Sequence, residues 1–271
     1  MKARRAIGLL VVTAYVSMAW AAVHAQGAQA AKQFEPTVGQ AGKDVVWVPT
    51  PQALVEKMLD LAKVTPQDFV MDLGSGDGRT VITAAKRGAR AQGVEYNPDM
   101  VELSKKNAAA AGVTDKATFV KADLFETDFS KAQVITMFLL PSINMRLRPT
   151  ILKMKPGTRI VSNTFTMEDW QPDQNETIGG DCTSWCTANL WIVPAQVDGT
   201  WQLGQGSLML SQKFQMVSGT LSGKPITDGR LRGDEITFNV GNTKYTGRVN
   251  GSAISGTMSG GGTGAWSAAR K

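Results

Sequence analysis

The sequence predicts an α/β fold, a doubly wound and mostly parallel sheet, followed by a small antiparallel β domain. Between residues 46 and 196, short apolar runs alternate with segments of helical periodicity, as they do in strand–helix–strand units. Glycine and proline mark the ends of these segments. Residues 197–271 hold 15 of the 28 glycines and almost no helical periodicity, which is typical of short strands joined by turns.

The elements of the first domain follow one another in a regular order. A helix over 50–63 carries its apolar residues on one face and precedes the first strand. Five strands are then predicted at DFVMDLG, AQGVEYN, ATFVKAD, AQVITMFLL and TRIVSNTF. Helices are predicted at RTVITAAKRG, at PDMVELSKKNAAAAG and around 144–154, with proline or glycine at several of their ends. NLWIVPA is predicted as a late edge strand.

The second domain, residues 197–271, is predicted to consist of hairpins. SLMLSQKFQMVSG has Leu208, Leu210, Phe214 and Met216 at alternate positions, and DEITFNVG has the same pattern. Turn pairs such as Asn250-Gly251 separate the runs. We expect a small antiparallel sheet or half-barrel, with residues 258–264 as a loop.

The first 25 residues have the pattern of a secretory signal peptide, with a basic start, an apolar centre and small residues before position 26. An uncleaved membrane anchor is the alternative, and it is the only membrane contact that we expect. Arg4-Arg5 also fits a twin-arginine signal, although the rest of that pattern is missing. Residues 26–45 are predicted to be a flexible linker. The protein is therefore expected to be exported, periplasmic or envelope-associated.

Charge, histidine and cysteine content exclude several kinds of site. The net charge of +6 falls to +3 without the three basic residues of the signal peptide, too little to indicate a nucleic-acid partner. The one histidine, His24, lies in the signal peptide, so Ser-His-Asp triads and histidine metal sites are excluded. Cys182 and Cys186 favour a short disulfide in an oxidising compartment, and two reduced thiols remain the alternative.

The segment VMDLGSGDGRT, residues 70–80, indicates a ligand at the first strand–helix turn. Three glycines at alternate positions let a ligand approach the main chain closely. Asp72 lies in this turn, Glu95 ends the second strand, and Asp123 follows the third strand. Each acid alone could be a solvated or capping residue. Together they favour an adenosine with a cationic tail over a diphosphate, because an acid would repel the phosphates. S-adenosylmethionine fits this description.

The chain resembles class I S-adenosylmethionine-dependent methyltransferases, which share a Rossmann-like sheet and the signature DLGSGDG. More narrowly, VPTP, DLGSGDGR, GVEYNP and the segment from Phe138 to Pro172 resemble the lysine methyltransferase family that includes the ATP synthase c-subunit methyltransferase. The resemblance covers about 46–172. It implies that Thr50 lies near the methionine end of the cofactor, unless Thr50 is only a helix N-cap. The implied cofactor-binding residues are Thr50, Asp72, Gly74, Ser75, Gly76, Glu95, Asn97, Asp123, Leu124 and Phe138.

The resemblance also implies where the methyl acceptor binds. FLLPS lies at the end of the fourth strand, where methyltransferases line the acceptor pocket, and it lacks the polar motif of many amino-methylating relatives. An apolar slot formed by Leu140, Pro141 and Trp170 would suit a lysine stem, although Trp170 could equally be a core or interface residue. The implied acceptor is a protein lysine or another small amine. No residue is assigned as catalytic, since positioning alone can contribute roughly 7–11 kcal/mol.

Two other functions remain open at this point. One is an exported binding module that holds an adenosine ligand without turnover. The other is a nicotinamide enzyme on a related sheet, which Asp72 and the lack of an evident proton donor disfavour. The oligomeric state cannot be predicted from the sequence.

Overall fold

The computed structural model describes residues 34–180, 182–204 and 206–271. The predicted signal peptide, residues 1–25, and the first part of the predicted linker lie outside the described residues. Thr37–Lys271 forms one compact unit. The described ranges contain four helices and sixteen strands, the strands being arranged in two sheets. None of these helices has the length and apolar character needed to cross a membrane.

The first sheet is mostly parallel. Its strands are β1 (Phe69–Leu73), β2 (Arg90–Glu95), β3 (Ala117–Lys121), β4 (Val134–Met137), β5 (Arg159–Asn163), β6 (Gln174–Thr177) and β7 (Thr187–Ile192). They lie in the order β3-β2-β1-β4-β5-β7-β6, and only the pairings of β7 with β5 and with β6 are antiparallel. The predicted fold class is confirmed. The prediction of an edge strand at NLWIVPA is wrong, because β6 pairs with β7 on its outer side.

Helices cover both faces of this sheet. They are α1 (Gln52–Leu61), α2 (Arg79–Lys86), α3 (Pro98–Ala110) and α4 (Pro141–Ile151). Residues of α1, α2 and α3 share one buried apolar cluster with Val70, whereas residues of α4 share the other cluster with Met71. Neighbouring residues of a strand point to opposite faces, so β1 contributes to both clusters.

Three of the helix starts position residues of the site. The Asn97 side chain accepts hydrogen bonds from the backbone N–H groups of Asp99 and Met100, which caps α3. α4 begins at Pro141, three residues before the predicted start. Thr50 does not cap α1, which has Pro51 at its cap position. Its hydroxyl instead accepts a hydrogen bond of 3.3 Å from Asn163 Nδ2.

The second sheet closes into a barrel. Its strands are β8 (Gly199–Leu203), β9 (Gly206–Lys213), β10 (Met216–Leu221), β11 (Lys224–Pro225), β12 (Thr227–Arg232), β13 (Glu235–Val240), β14 (Thr243–Asn250), β15 (Ala253–Gly260) and β16 (Gly264–Arg270). β10 pairs with both β9 and β12, and β16 pairs with β8, so the antiparallel ring is complete. The predicted small antiparallel β domain is confirmed, and its ring is complete where the sequence analysis expected a sheet or half-barrel.

Two local predictions in the barrel need correction. SLMLSQKFQMVSG is a hairpin of β9 and β10 rather than one strand, and the chain turns at Phe214. Leu208 and Leu210 therefore point into the barrel core, whereas Met216 is 51% exposed. The predicted loop over 258–264 includes the end of β15 and the start of β16.

The barrel packs against the first sheet through polar and aromatic contacts. Arg230 of β12 forms a salt bridge of 2.8 Å with Asp173, whose side chain is only 1% exposed. Phe214 stacks on Trp170 with ring centroids 5.7 Å apart. Trp170 is fully buried and also contacts Trp191. These contacts explain why Trp170 belongs to the interface rather than to the active site.

Candidate active site

One crevice collects the predicted site residues at the carboxyl ends of the parallel strands. It is a cavity of about 190 Å³. Ligands of doubly wound sheets bind at this edge. The residues that follow β1, β2, β3, β4 and β5 all contribute to its lining, together with residues 40–50 before α1.

The glycine turn after β1 forms the floor of the crevice. Gly74, Gly76 and Gly78 all have positive φ angles, of 80°, 53° and 83°. The N–H of Gly74 donates to the carbonyl of Val94 at 2.9 Å, which ties the turn to β2. A Cβ on Gly76 would lie 2.6 Å from Nε1 of Trp47, so a side chain there would displace the indole. Only glycine fits this conformation and this spacing.

Glu95 connects the second strand to the glycine turn. One of its carboxylate oxygens accepts a hydrogen bond of 3.0 Å from the Gly76 N–H, and the other accepts one of 2.9 Å from the Asn97 N–H. These two bonds fix the carboxylate at the crevice. Each oxygen retains a lone pair that can accept a hydrogen bond from a ligand hydroxyl.

Asp72 is a buried carboxylate without a cationic partner among the described residues. It is 5% exposed, and the hydroxyl of Thr136 donates to its Oδ1 at 2.7 Å. Burial, with a smaller contribution from the negative charges of Glu95 and Asp77, raises the pKa of Asp72 to about 7, and the hydrogen bond from Thr136 opposes this increase. A cationic ligand group beside Asp72 would stabilise the ionised form of its carboxylate. The residues present therefore fit an adenosine with an ammonium-bearing tail.

The segment 37–47 lies over the third acid, Asp123. Within it the Trp47 N–H donates to the Gln40 carbonyl, and the Gly39 N–H donates to the Trp47 carbonyl. Lys43 forms a salt bridge with Asp123, and this contact holds the pKa of Asp123 below its usual value. The sequence prediction placed 26–45 in a flexible linker. Its described part from Thr37 onwards is instead folded over the crevice.

Aromatic side chains line the other half of the crevice. Phe138 follows β4, and Phe165 lies two residues after β5. Their rings stack with centroids 5.9 Å apart, and Trp185 meets Phe138 edge-on at 5.9 Å. Trp185 precedes β7, which runs antiparallel to β5 and so starts at the same edge of the sheet. The sheet thus carries acids at β1, β2 and β3, with Tyr96 beside them, and the cluster of Phe138, Phe165 and Trp185 at β4, β5 and β7.

Most of the predicted site residues meet in this crevice. The lining includes the ten predicted cofactor-binding residues and, among the acceptor candidates, Leu140. Pro141 is outside the lining and forms the first turn of α4. Trp170 is also outside it, so its prediction as a wall of the acceptor slot is wrong. The buried hydroxyl of Ser75 has no hydrogen-bond partner among the described residues.

Several lining residues were not predicted. They include Trp47, Arg79, Tyr96, Phe165 and Trp185. Arg79 contacts Asp77 and donates to the carbonyl of Thr50 at 2.9 Å, which joins the VPTP segment to the glycine turn. Arg79 falls within the quoted DLGSGDGR motif, so it could have been included. Phe165 ends the predicted strand TRIVSNTF and could have been included, whereas Trp185 lies in no periodic segment.

Cys182 and Cys186 form a disulfide, as the sequence favoured. In the described part of the chain, no group of three or more histidine, cysteine, aspartate or glutamate side chains is arranged to hold a metal ion.

Comparison with known proteins places these residues in context. The ANTKMT methyltransferase domain model matches residues 72–174. A protein-lysine N-methyltransferase of Saccharolobus islandicus is 47% identical over 133 residues, which are 48% of this chain and 83% of that protein. The mouse ATP synthase c-subunit lysine N-methyltransferase is 34% identical over 140 residues, or 51% of this chain and 56% of that protein. The chain therefore spans only about half the length of this mouse relative.

A solved structure has a similar fold and a different name. It is described as an RNA methyltransferase from Salinibacter ruber in complex with S-adenosyl-L-homocysteine. It is 46% identical, with a TM-score of 0.52, and the match covers 55% of this chain and 96% of that one. The names of the relatives thus agree on methyl transfer and differ on the acceptor.

Proposed function

The chain belongs to the lysine methyltransferase family of class I S-adenosylmethionine-dependent methyltransferases. From this premise we propose that its acceptor is the side-chain amine of a lysine in a protein. The division of the crevice supports this acceptor most directly. Its acid half suits the cationic cofactor, whereas its apolar half offers Phe138, Leu140 and Phe165 to the acceptor. An aliphatic stem ending in an amine matches such a surface.

The acid half of the crevice, here called the donor half because it would hold the methyl donor, orients the cofactor. Asp72 would hold the cationic tail, Glu95 would accept hydrogen bonds from the ribose hydroxyls, and the glycine turn lets the nucleoside reach the main chain. When bound, the cofactor supplies a methyl group on a positively charged sulfur. The cofactor would give this methyl group to the lone pair of the acceptor nitrogen and leave as a neutral thioether, so that the product nitrogen carries the positive charge.

The apolar half of the crevice, here called the acceptor half, would bring the amine into its reactive state. Only the neutral amine has a lone pair, and burial in apolar surroundings lowers the pKa of an amine. The acceptor would enter as an ammonium, and the apolar surroundings of Phe138 and Phe165 would ease the loss of its proton to solvent before transfer. Once the proton has left, the rings exclude water from the reacting atoms. Their negative faces also favour the positive charge that develops on nitrogen. Alignment of this kind supplies the catalysis without an added acid or base, and can contribute roughly 7–11 kcal/mol.

Transfer of tritium from methyl-labelled cofactor tests the proposal. Purified protein is incubated with an envelope extract, and labelled products are sorted by protease and ribonuclease sensitivity. We expect label in a protease-sensitive, ribonuclease-resistant product, released as methyl-lysine on hydrolysis. Asp72→Ala should abolish transfer, and Asp115→Ala, at an exposed turn outside the crevice, should not. Label in RNA alone would contradict a lysine acceptor.

We propose further that the protein works outside the cytoplasm. The disulfide between Cys182 and Cys186 supports this, because such bonds persist in oxidising compartments. The signal-like pattern of residues 1–25 supports it as well. Mass spectrometry of the natively purified protein tests it by measuring the mature N-terminus and any co-purifying adenosine compound together. A cytoplasmic protein with residues 1–25 intact would contradict the proposal.

A further inference from the structure

The loop between β6 and β7 carries Trp185 inside a small covalent ring. The disulfide joins Cys182 to Cys186 with their Cα atoms 5.9 Å apart, and Trp185 lies between them. The carbonyl of Cys186 accepts a hydrogen bond of 2.9 Å from the Ile178 N–H, which closes the hairpin at the base of this loop. The ring therefore sits on an ordered base and limits where the indole can lie.

Two residues with left-handed backbone conformations orient aromatic rings towards Phe138. Trp185 has φ of 55°, and Thr164, just before Phe165, has φ of 56°. Such angles are uncommon for residues other than glycine and persist where the surroundings enforce them. For Thr164 the surroundings are in β7: its N–H donates to the Thr187 carbonyl at 2.7 Å, and Asn189 Nδ2 donates to its carbonyl at 3.0 Å.

Trp185 is exposed although it is large and aromatic. It is 42% exposed, yet it lines the same crevice as Asp72 and contacts Phe138. Exposed faces of tryptophan attract ammonium groups, and the attraction grows when water is excluded. Among the described residues, the acids that line the crevice lie in or just after β1, β2 and β3 and, in the case of Asp44, before α1. None of them follows β4 or β5 or directly precedes β7, where the three rings lie.

We propose that Trp185, held by the Cys182–Cys186 disulfide, completes with Phe138 and Phe165 a recognition slot for the aliphatic stem and ammonium head of the acceptor lysine. The inference rests on the proposed function and extends it in two ways. It assigns an acceptor-positioning role to a loop outside residues 72–174, the range matched by the family model. It also makes acceptor binding depend on oxidation, since reduction of the disulfide frees Trp185 from its covalent ring.

The inference is tested by binding of n-butylammonium, which has the stem and head of a lysine side chain, to the full chain saturated with S-adenosylhomocysteine. Saturation-transfer NMR gives its dissociation constant, and n-butanol is the neutral control. Because the chain has only two cysteines, dithiothreitol can reduce only this disulfide. The variants are Trp185→Ala, Trp185→Phe and the double variant Cys182→Ser/Cys186→Ser. Met209→Ala is the matched control, since Met209 is a 56% exposed hydrophobic residue in the barrel.

We expect Trp185→Ala to weaken n-butylammonium binding about five- to tenfold, Trp185→Phe to retain most of it, and n-butanol to change less. Dithiothreitol should weaken binding by a similar factor in the wild type and should have no further effect in Trp185→Ala or in the double serine variant. Affinity for S-adenosylhomocysteine should stay constant throughout. An unchanged affinity in Trp185→Ala, or a dithiothreitol effect that persists in it, overturns the inference.

The same variants separate this inference from the proposed function. If label enters protein lysine but Trp185→Ala leaves the acceptor KM unchanged, the function stands and the slot is refuted. If n-butylammonium binding depends on Trp185 and the disulfide while no protein lysine is labelled, the slot stands and the lysine acceptor is refuted. Circular dichroism and thermal unfolding of each variant confirm that the barrel and the first sheet remain folded.

Discussion

Asp72 provides a quantitative test of the donor half, and the perturbation is Asp72→Asn. Burial raises the pKa of this carboxyl from 3.8 to about 7 in the folded protein. In the unfolded chain its pKa is near the ordinary value of about 3.9. The folded state therefore keeps the proton at pH values where the unfolded chain has released it. The stabilisation that results is fully present below about pH 4 and is lost as the pH rises through 7.

The magnitude follows from the size of the shift. One pKa unit corresponds to about 1.4 kcal/mol, so a shift of about three units is worth at most about 4 kcal/mol. Asparagine does not titrate and preserves the shape of the side chain. The free energy of unfolding of the wild type relative to Asp72→Asn should therefore fall by up to about 4 kcal/mol between pH 4 and pH 8, leaving the variant more stable at pH 8 without ligand.

Urea unfolding across this pH range measures the difference, with Asp115→Asn as the control at an exposed carboxylate. Calorimetry in buffers of different ionisation enthalpy adds a second readout. Binding of S-adenosylhomocysteine should release nearly one proton at pH 6 and almost none at pH 8.5, because the ligand ammonium requires the ionised Asp72. The electrostatic account of the donor half would be refuted if the free energies of unfolding of the wild type and Asp72→Asn varied with pH in the same way and no proton were released on binding at pH 6.

Two further predictions concern the glycine turn and the barrel contact. Gly76→Ala should weaken binding of S-adenosylhomocysteine at least tenfold in calorimetry, because the added Cβ would displace the indole of Trp47. The control is Gly112→Ala, which should leave that affinity unchanged, since Gly112 also has a positive φ, of 69°, but has open space around it. Arg230→Ala should destabilise the protein by about 2 kcal/mol in urea unfolding, since it leaves the Asp173 carboxylate buried and unpaired. Adding Asp173→Asn should recover part of that loss, and strictly additive effects would contradict the pairing.

The sequence was informative about the donor half because its residues follow strand ends. Asp72, Glu95 and Asp123 each come at or just after an apolar run, and parallel strands bring their carboxyl ends to one edge. That rule is independent of distant contacts, so the order of the strands along the chain is enough to bring the three acids together. The partner of Asp123 could not be predicted, because Lys43 reaches it from a segment without periodicity.

The acceptor half was less predictable for a physical reason. Phe165 and Trp185 are directed by left-handed residues and by a disulfide, which leave no periodic pattern in the sequence. The sequence could not decide between the acceptor slot and the interface for Trp170, because its ring packs on Phe214, a residue 44 positions further along the chain in the barrel. Barrel closure, similarly, depends on the pairing of β16 with β8, the last and first strands of the barrel, which strand periodicity alone does not reveal.

The separation of acids and rings onto different strands has an evolutionary consequence. On the proposed division, substitutions after β5 or in the loop before β7 would alter which substrate is accepted while the acids and the glycine turn stay unchanged. A lineage can thus acquire a new target without first losing its methyl source. Such independence would allow related proteins to bear names with acceptors as unlike as a lysine and an RNA.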